Sequence, residues 1–169
     1  MDSTEEKIVA RLKEALAKGD VATLQYMLSF TANFYQMADN IKTYEKYLAC
    51  GYTDKPSFDK YGWIDNYKKV EANAEKISVF EDGSKKLSVE VLQLANGKWV
   101  SGIDLMLAES GCLCGASIWN KQYNTRHEAY MAACETAMKD IQSSSNKNDK
   151  KYISYVKKKM AESLQLSLF

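Results

Sequence analysis

The spacing of apolar positions changes period along the chain, and the change divides it. Residues 4–18 place Ile8, Leu12, Ala15 and Leu16 on one helical face, and Gly19 suits a left-handed stop. Asp20 is placed to cap a second helix. There Leu24, Met27, Leu28, Phe34, Tyr35, Ala38 and Ile41 keep helical spacing toward Cys50, with Asn40 as the expected interruption. The stretch GYTDKPSFDKYG, Gly51 to Gly62, holds the only proline and reads as a loop, followed by a helix from Trp63 to about Lys76.

The period then drops to two. KLSVEVLQL (86–94) and KWVSGIDLML (98–107) read as strands joined by Asn96-Gly97, the signal for a two-residue type I′ hairpin turn. After a turn near Glu109-Ser110-Gly111, CGASIWN (114–120) is expected as a third strand. Thr125-Arg126-His127-Glu128 is a capping box, and the helix it opens carries Ala129, Ala133, Ala137 and Ile141 on one stripe. Side chains that small suit close packing on a sheet. SSSNKNDKK (143–151) is polar without period and reads as a mobile linker. Beyond it Ile153, Val156, Met160 and Leu164 mark a short amphipathic helix. The expected fold is therefore α+β in three parts. These are a helical segment (1–76), a three-stranded antiparallel β-meander plus helix (77–142), and a linker, short amphipathic helix and flexible C-terminal tail (143–169).

Composition narrows the function classes. A hydrophobic fraction of 46% permits a sizeable core. The formal net charge of +1 gives no global pull toward nucleic acid or an anionic membrane, so either contact would need a local patch. No apolar run approaches the roughly 20 residues of a membrane span, and no membrane partner is expected. The opening MDSTEEKIV lacks the apolar region of a secretory signal, and the four cysteines read as reduced thiols, so a cytoplasmic protein is expected.

Candidate chemistry is sparse. Cys112-Leu113-Cys114 has C-x-C rather than C-x2-C spacing, and a zinc site would need Cys50, Cys134 or His127 to join it. No metal is expected. His127, the only histidine, lies at the start of a helix; paired with Cys112 or Cys114 it would lack an orienting third residue. Phosphate-binding, dinucleotide-binding and nucleophile-elbow motifs are absent, so neither a cofactor nor an enzyme is expected. Glu90, Asp104 and Glu109 fall on or near strands, where solvated faces ordinarily carry charge.

Aromatic residues cluster in mid-chain. Tyr44, Tyr47, Tyr52, Tyr61, Trp63 and Tyr67 interleave with Lys42, Lys46, Lys55, Lys60, Lys68 and Lys69. Rings beside lysines can stack and neutralise a single strand, although Asp54, Asp59 and Asp65 interrupt this run. Trp63, Lys68 and Lys69, with the triplet Lys157, Lys158 and Lys159, are the candidates for nucleic-acid contact.

Two resemblances add to this reading. A meander followed by an Ala-rich helix resembles the topology of double-stranded-RNA-binding domains, although Thr125-Arg126-His127-Glu128 stands where those domains carry a lysine cluster. The chain also resembles small proteins of bacterial plasmids and phages. Gln165, Leu166, Ser167, Leu168 and Phe169 resemble the bacterial sliding-clamp-binding motif, Gln-Leu-Ser/Asp-Leu-Phe, at all five positions. That resemblance implies an extended peptide in a groove of the DNA polymerase sliding clamp, with the Gln165 amide on backbone groups and Leu168 with Phe169 in an apolar pocket. Two functional expectations stand side by side. One is a non-enzymatic accessory protein of DNA replication or repair, or of a mobile element, recruited to the clamp. The other is a module for single-stranded or structured nucleic acid, DNA included, whose C-terminal tail packs on its own core.

Overall fold

The structure, a computed structural model, describes residues 3–30 and 34–166, with the side chains of 6–30 and 36–163. The chain divides into two compact units, residues 1–68 and 69–169.

The first unit contains α1 (Ser3–Lys18), α2 (Val21–Leu28) and α3 (Phe34–Ala49). Asp20 caps α2, its carboxylate accepting from the Thr23 amide at 3.0 Å. Ile8, Ala15, Met27, Met37, Ala38 and Ile41 are buried, whereas Leu16 of the expected α1 face lies in solvent. The interruption between α2 and α3 falls after Leu28, not at Asn40. Asn40 is buried inside α3, where its amide serves a neighbouring loop. The helix expected over 63–76 is also shorter. Residues 51–65 are irregular, α4 spans only Asn66–Glu71, and the chain is extended from Glu75 onward.

The second unit holds β1 (Glu75–Asp82), β2 (Lys85–Gln93), β3 (Trp99–Met106) and β4 (Gly111–Cys114), then α5 (Arg126–Ser143) and α6 (Tyr152–Leu166). The sheet is antiparallel in the order β1-β2-β3-β4, so the α+β class holds with four strands rather than three. The unexpected strand is β1. Its signal was Asp82-Gly83, the start of a tight hairpin turn in which Asp82 pairs with Lys85. A bulge between Ser78 and Phe80 lets the consecutive residues Val79 and Phe80 both be buried, which breaks the two-residue alternation.

The β2–β3 hairpin forms where expected, but with a different turn. Only Gly97 has positive φ, at +80°, while type I′ would require it at Asn96 as well. The Gly97 amide donates to Leu94 O at 2.9 Å and the Leu94 amide to Lys98 O at 2.8 Å, giving a three-residue loop closed by the glycine. The strand expected over 114–120 is mostly loop; β4 precedes it.

One face of the sheet builds the core. Leu87, Val89 and Val91 of β2 and Ile103 and Leu105 of β3 pack with Tyr130, Ala133, Cys134, Ala137 and Ile141 of α5. The capping box of α5 is present in both directions. The stretch read as a linker contains a short 3-10 helix, Lys147–Lys151, in which Asp149 is fully buried. Its carboxylate takes the Ser144 hydroxyl at 2.8 Å and the Lys85 ammonium at 3.3 Å. α6 then joins the core. Tyr152 stacks on Phe80 at 4.4 Å and Val156 is buried, with Ile153 and Met160 partly covered.

The opposite face mixes polar Ser88, Glu90 and Asp104 with buried Leu92 and Val100. Lys76 and Lys86 converge on Asp104 at 3.0 and 2.8 Å. The segment after β4 runs close against this sheet at Gly102, where an added Cβ would stand 2.0 Å from Cys114 O and 2.5 Å from Ala116 N. Only glycine permits that approach.

Candidate functional site

The mid-chain loop, residues 54–66, is closed by three backbone hydrogen bonds of its own and by a larger set of side chains that hydrogen-bond its backbone. From within α3, Asn40 donates to Gly62 O at 2.8 Å and accepts from the Ile64 amide at 2.9 Å. One turn earlier, Gln36 donates to Tyr61 O at 2.8 Å. Gln36 and Asn40 reach the same loop because residues four apart share one helix face. Asn66 accepts from the Ser57 amide at 2.7 Å and donates to Lys55 O at 2.9 Å. Gln36, Asn40 and Asn66 are all buried. A buried amide is tolerated only when its polar atoms are paired, and here the partners are loop backbone groups that would otherwise lack them.

Asp59 organises the tip. Its Oδ1 accepts from the amides of Tyr61 and Trp63 at 2.9 and 3.0 Å, and its Oδ2 from the Lys68 ammonium at 3.2 Å. These donors, the Trp63 amide foremost, hold its carboxyl below the ordinary range. Gly62 completes the turn at φ +82°. The structure thus brings two nucleic-acid candidates, Trp63 and Lys68, onto one carboxylate. Lys69 is exposed on α4.

The aromatic cluster sorts into two groups. Tyr44 and Tyr47 are buried, and Tyr47 stacks on Tyr52 at 4.5 Å. The Tyr47 hydroxyl donates to Asp54 at 2.7 Å, and burial with that carboxylate pushes it up to about 12. These rings are structural. Tyr61 and Trp63 differ, with 68% and 42% of their surface exposed. Lys60 places its ammonium 4.8 Å from the Tyr61 ring centroid. Phe58 lies between the groups, half exposed and edge-on to Phe30 at 6.1 Å. Tyr61 and Lys60 carried no more sequence signal than their neighbours; the Asp-x-x-Gly spacing from Asp59 to Gly62 was the only mark of an ordered turn.

In the second unit, Lys157 and Lys158 are exposed on α6, and Lys159 pairs with Glu162 at 2.8 Å. Gln165 and Leu166 fall in the last turn of α6, while Ser167, Leu168 and Phe169 lie outside the described residues.

Cys112 and Cys114 lie on the core side of β4, opposite Leu105 and Ile103. They wall a cleft of about 300 Å³ beside Tyr123, Ala132 and Thr136. Burial, with Asp140 adding to it, pushes the Cys112 thiol up, the reverse of what a nucleophilic thiolate needs. His127 does not line this cleft; its Nδ1 meets Ser163 Oγ at 3.2 Å, so the ring is half-buried between α5 and α6. Among the described residues no three metal-ligating side chains converge. No helix among them is long and apolar enough to cross a membrane. No family model, curated protein or solved structure matches the chain.

Proposed function

We propose that this chain is a non-enzymatic accessory protein of bacterial DNA replication or repair, or of a mobile element, recruited to the sliding clamp through Gln165, Leu166, Ser167, Leu168 and Phe169. The observation that carries the reading is the match of all five residues to the clamp-binding pattern. The placement of α6 is compatible with it. That helix is fixed to the core through Tyr152 and Val156, and Leu166 lies ten residues beyond Val156, roughly 15 Å along a helix. Docking as an extended peptide requires only the last turn of α6 to unwind at Gln165 and Leu166. Substitutions in the motif therefore leave the described core contacts of α6 untouched.

Titrating a peptide of the last ten residues into purified clamp by calorimetry tests the proposal. Binding is expected to concentrate in Leu168 and Phe169, each worth on the order of 1.5–3 kcal/mol of transfer free energy. Replacing both by alanine should weaken binding roughly a hundredfold or more. Gln165→Ala should cost less, about 1 kcal/mol for one hydrogen bond with half-exposed partners. Lys157→Ala and Lys158→Ala in the full chain should mainly slow association. Absence of binding, or indifference to the double alanine change, would remove the proposal's basis.

A further inference from the structure

The first unit commits three buried amide side chains and a carboxylate to fixing one short loop, and the result is two aromatic rings held out in solvent. Burying Gln36, Asn40 and Asn66 is costly unless each is paired, and a loop with no task beyond connection would not need them. Exposed large aromatics on an ordered loop mark a contact surface, because a preorganised ring loses little entropy on binding.

The charges around the loop narrow the partner. In the sequence, Asp54, Asp59 and Asp65 break up the lysines and weigh against a polyanion. In the structure each of the three carboxylates has a hydrogen-bond partner, and Asp59 is also paired with a lysine. Asp54 accepts from Tyr47, Asp65 from the Ser57 hydroxyl, and Asp59 from two amides and Lys68. Lys55 and Lys60 are exposed on the same loop. Lys60 stands over one face of Tyr61, so a cation already sits beside a ring. Along the chain Tyr61 lies between Lys60 and Gly62 and Trp63 between Gly62 and the buried Ile64, so no exposed apolar side chain adjoins either ring in sequence. A protein-docking hot spot, by contrast, lies within an apolar patch that excludes water. A flat π-surface next to an ammonium matches a base next to its phosphate.

We propose that the loop of residues 54–66 is a base-stacking platform for single-stranded nucleic acid, with Tyr61 and Trp63 taking bases and Lys60 a phosphate. The inference stands apart from the clamp-binding motif, which belongs to the other unit. Stacking dominates over charge in this arrangement. With one or two phosphates neutralised, the slope of log affinity against log salt is shallow, about −0.7 to −1.4 for a single strand.

The test is fluorescence anisotropy of a fluorescein-labelled oligothymidine titrated with the full chain at low salt. Saturable binding is expected, with the same sequence as a duplex binding more weakly because its bases are already stacked. Tyr61→Ala and Trp63→Ala should each weaken binding about tenfold, and Tyr61→Phe should retain it. Tyr61→Leu keeps bulk and loses the ring, so it separates stacking from loop stability if an alanine variant melts early. Removing residues 165–169 should leave this binding unchanged, which distinguishes its failure from failure of the clamp proposal. No anisotropy change at micromolar protein would overturn the platform, as expected of a loop that docks a protein instead. So would equal affinity for the duplex, or full affinity in Tyr61→Leu and Trp63→Ala together.

Discussion

Asn40 shows how a residue can be misplaced by its propensity and explained by its contacts. Asparagine is a poor choice for a helix interior, which is why it reads as a break. In α3 it is buried, and both ends of its amide complete the backbone of Gly62 and Ile64. Asn40→Leu keeps similar volume but leaves the Ile64 N–H and the Gly62 carbonyl without that partner. The expected loss is about 2–4 kcal/mol of stability, measured by urea denaturation, since a buried unsatisfied group costs about 1–3 kcal/mol. Gly102 makes the complementary case on the sheet. Gly102→Ala would put a methyl 2.0 Å from Cys114 O, so the backbone of 114–116 must move. Overpacking of this kind costs about 1–3 kcal/mol or more, seen as a lower melting temperature. Asp104 adds a pH dependence. Lys86 first, then Lys76, hold its carboxyl below the unfolded value. Its contribution is therefore complete above about pH 4 and is lost as pH falls through the lower folded value. Asp104→Asn should flatten the acid limb of melting temperature against pH and leave the neutral plateau flat.

At the scale of elements, legibility followed the regularity of the pattern. α5 was fully readable because Thr125 and Glu128 mark its start and an alanine stripe marks its buried face; Thr125→Ala should cost about 1 kcal/mol, observable in the same denaturation curves. β2 and β3 alternate cleanly and pair in register from Lys86↔Met106 to Gln93↔Trp99. β1 was hidden because its bulge puts Val79 and Phe80 side by side in the core, and because Glu75 and Lys76 extend the helical pattern before it. The segment 143–151 misled for a different reason. Its composition is that of a linker, but one buried aspartate, held by Ser144 and by Lys85 from β2, ties it down. Such a long-range ion pair leaves no local trace. The candidate site divides the same way. Trp63 and Lys68 could be named from composition, but the hydrogen bonds of Asp54, Asp59 and Asp65 depend on partners that only the fold brings to them.

The whole molecule places its two candidate contacts on different units. The loop of Tyr61 and Trp63 belongs to residues 1–68, and the clamp motif belongs to residues 69–169. The second unit has a core of its own, with four paired strands under α5 and α6, and its buried ion pair joins Lys85 to Asp149 within the same unit. Domains of about 100 residues with one continuous core ordinarily fold alone. A fragment of residues 69–169 should therefore unfold in a single cooperative transition by circular dichroism. It should bind the clamp as tightly as the full chain does, because every motif residue and Lys157 to Lys159 are retained. It should not bind the oligothymidine, because both stacking rings are gone. Trp63→Ala in the full chain should weaken oligothymidine binding about tenfold and leave clamp binding unchanged. Loss of clamp binding in a fragment that still melts cooperatively would show that the first unit takes part in recruitment, and the division of labour between the units would have to be abandoned.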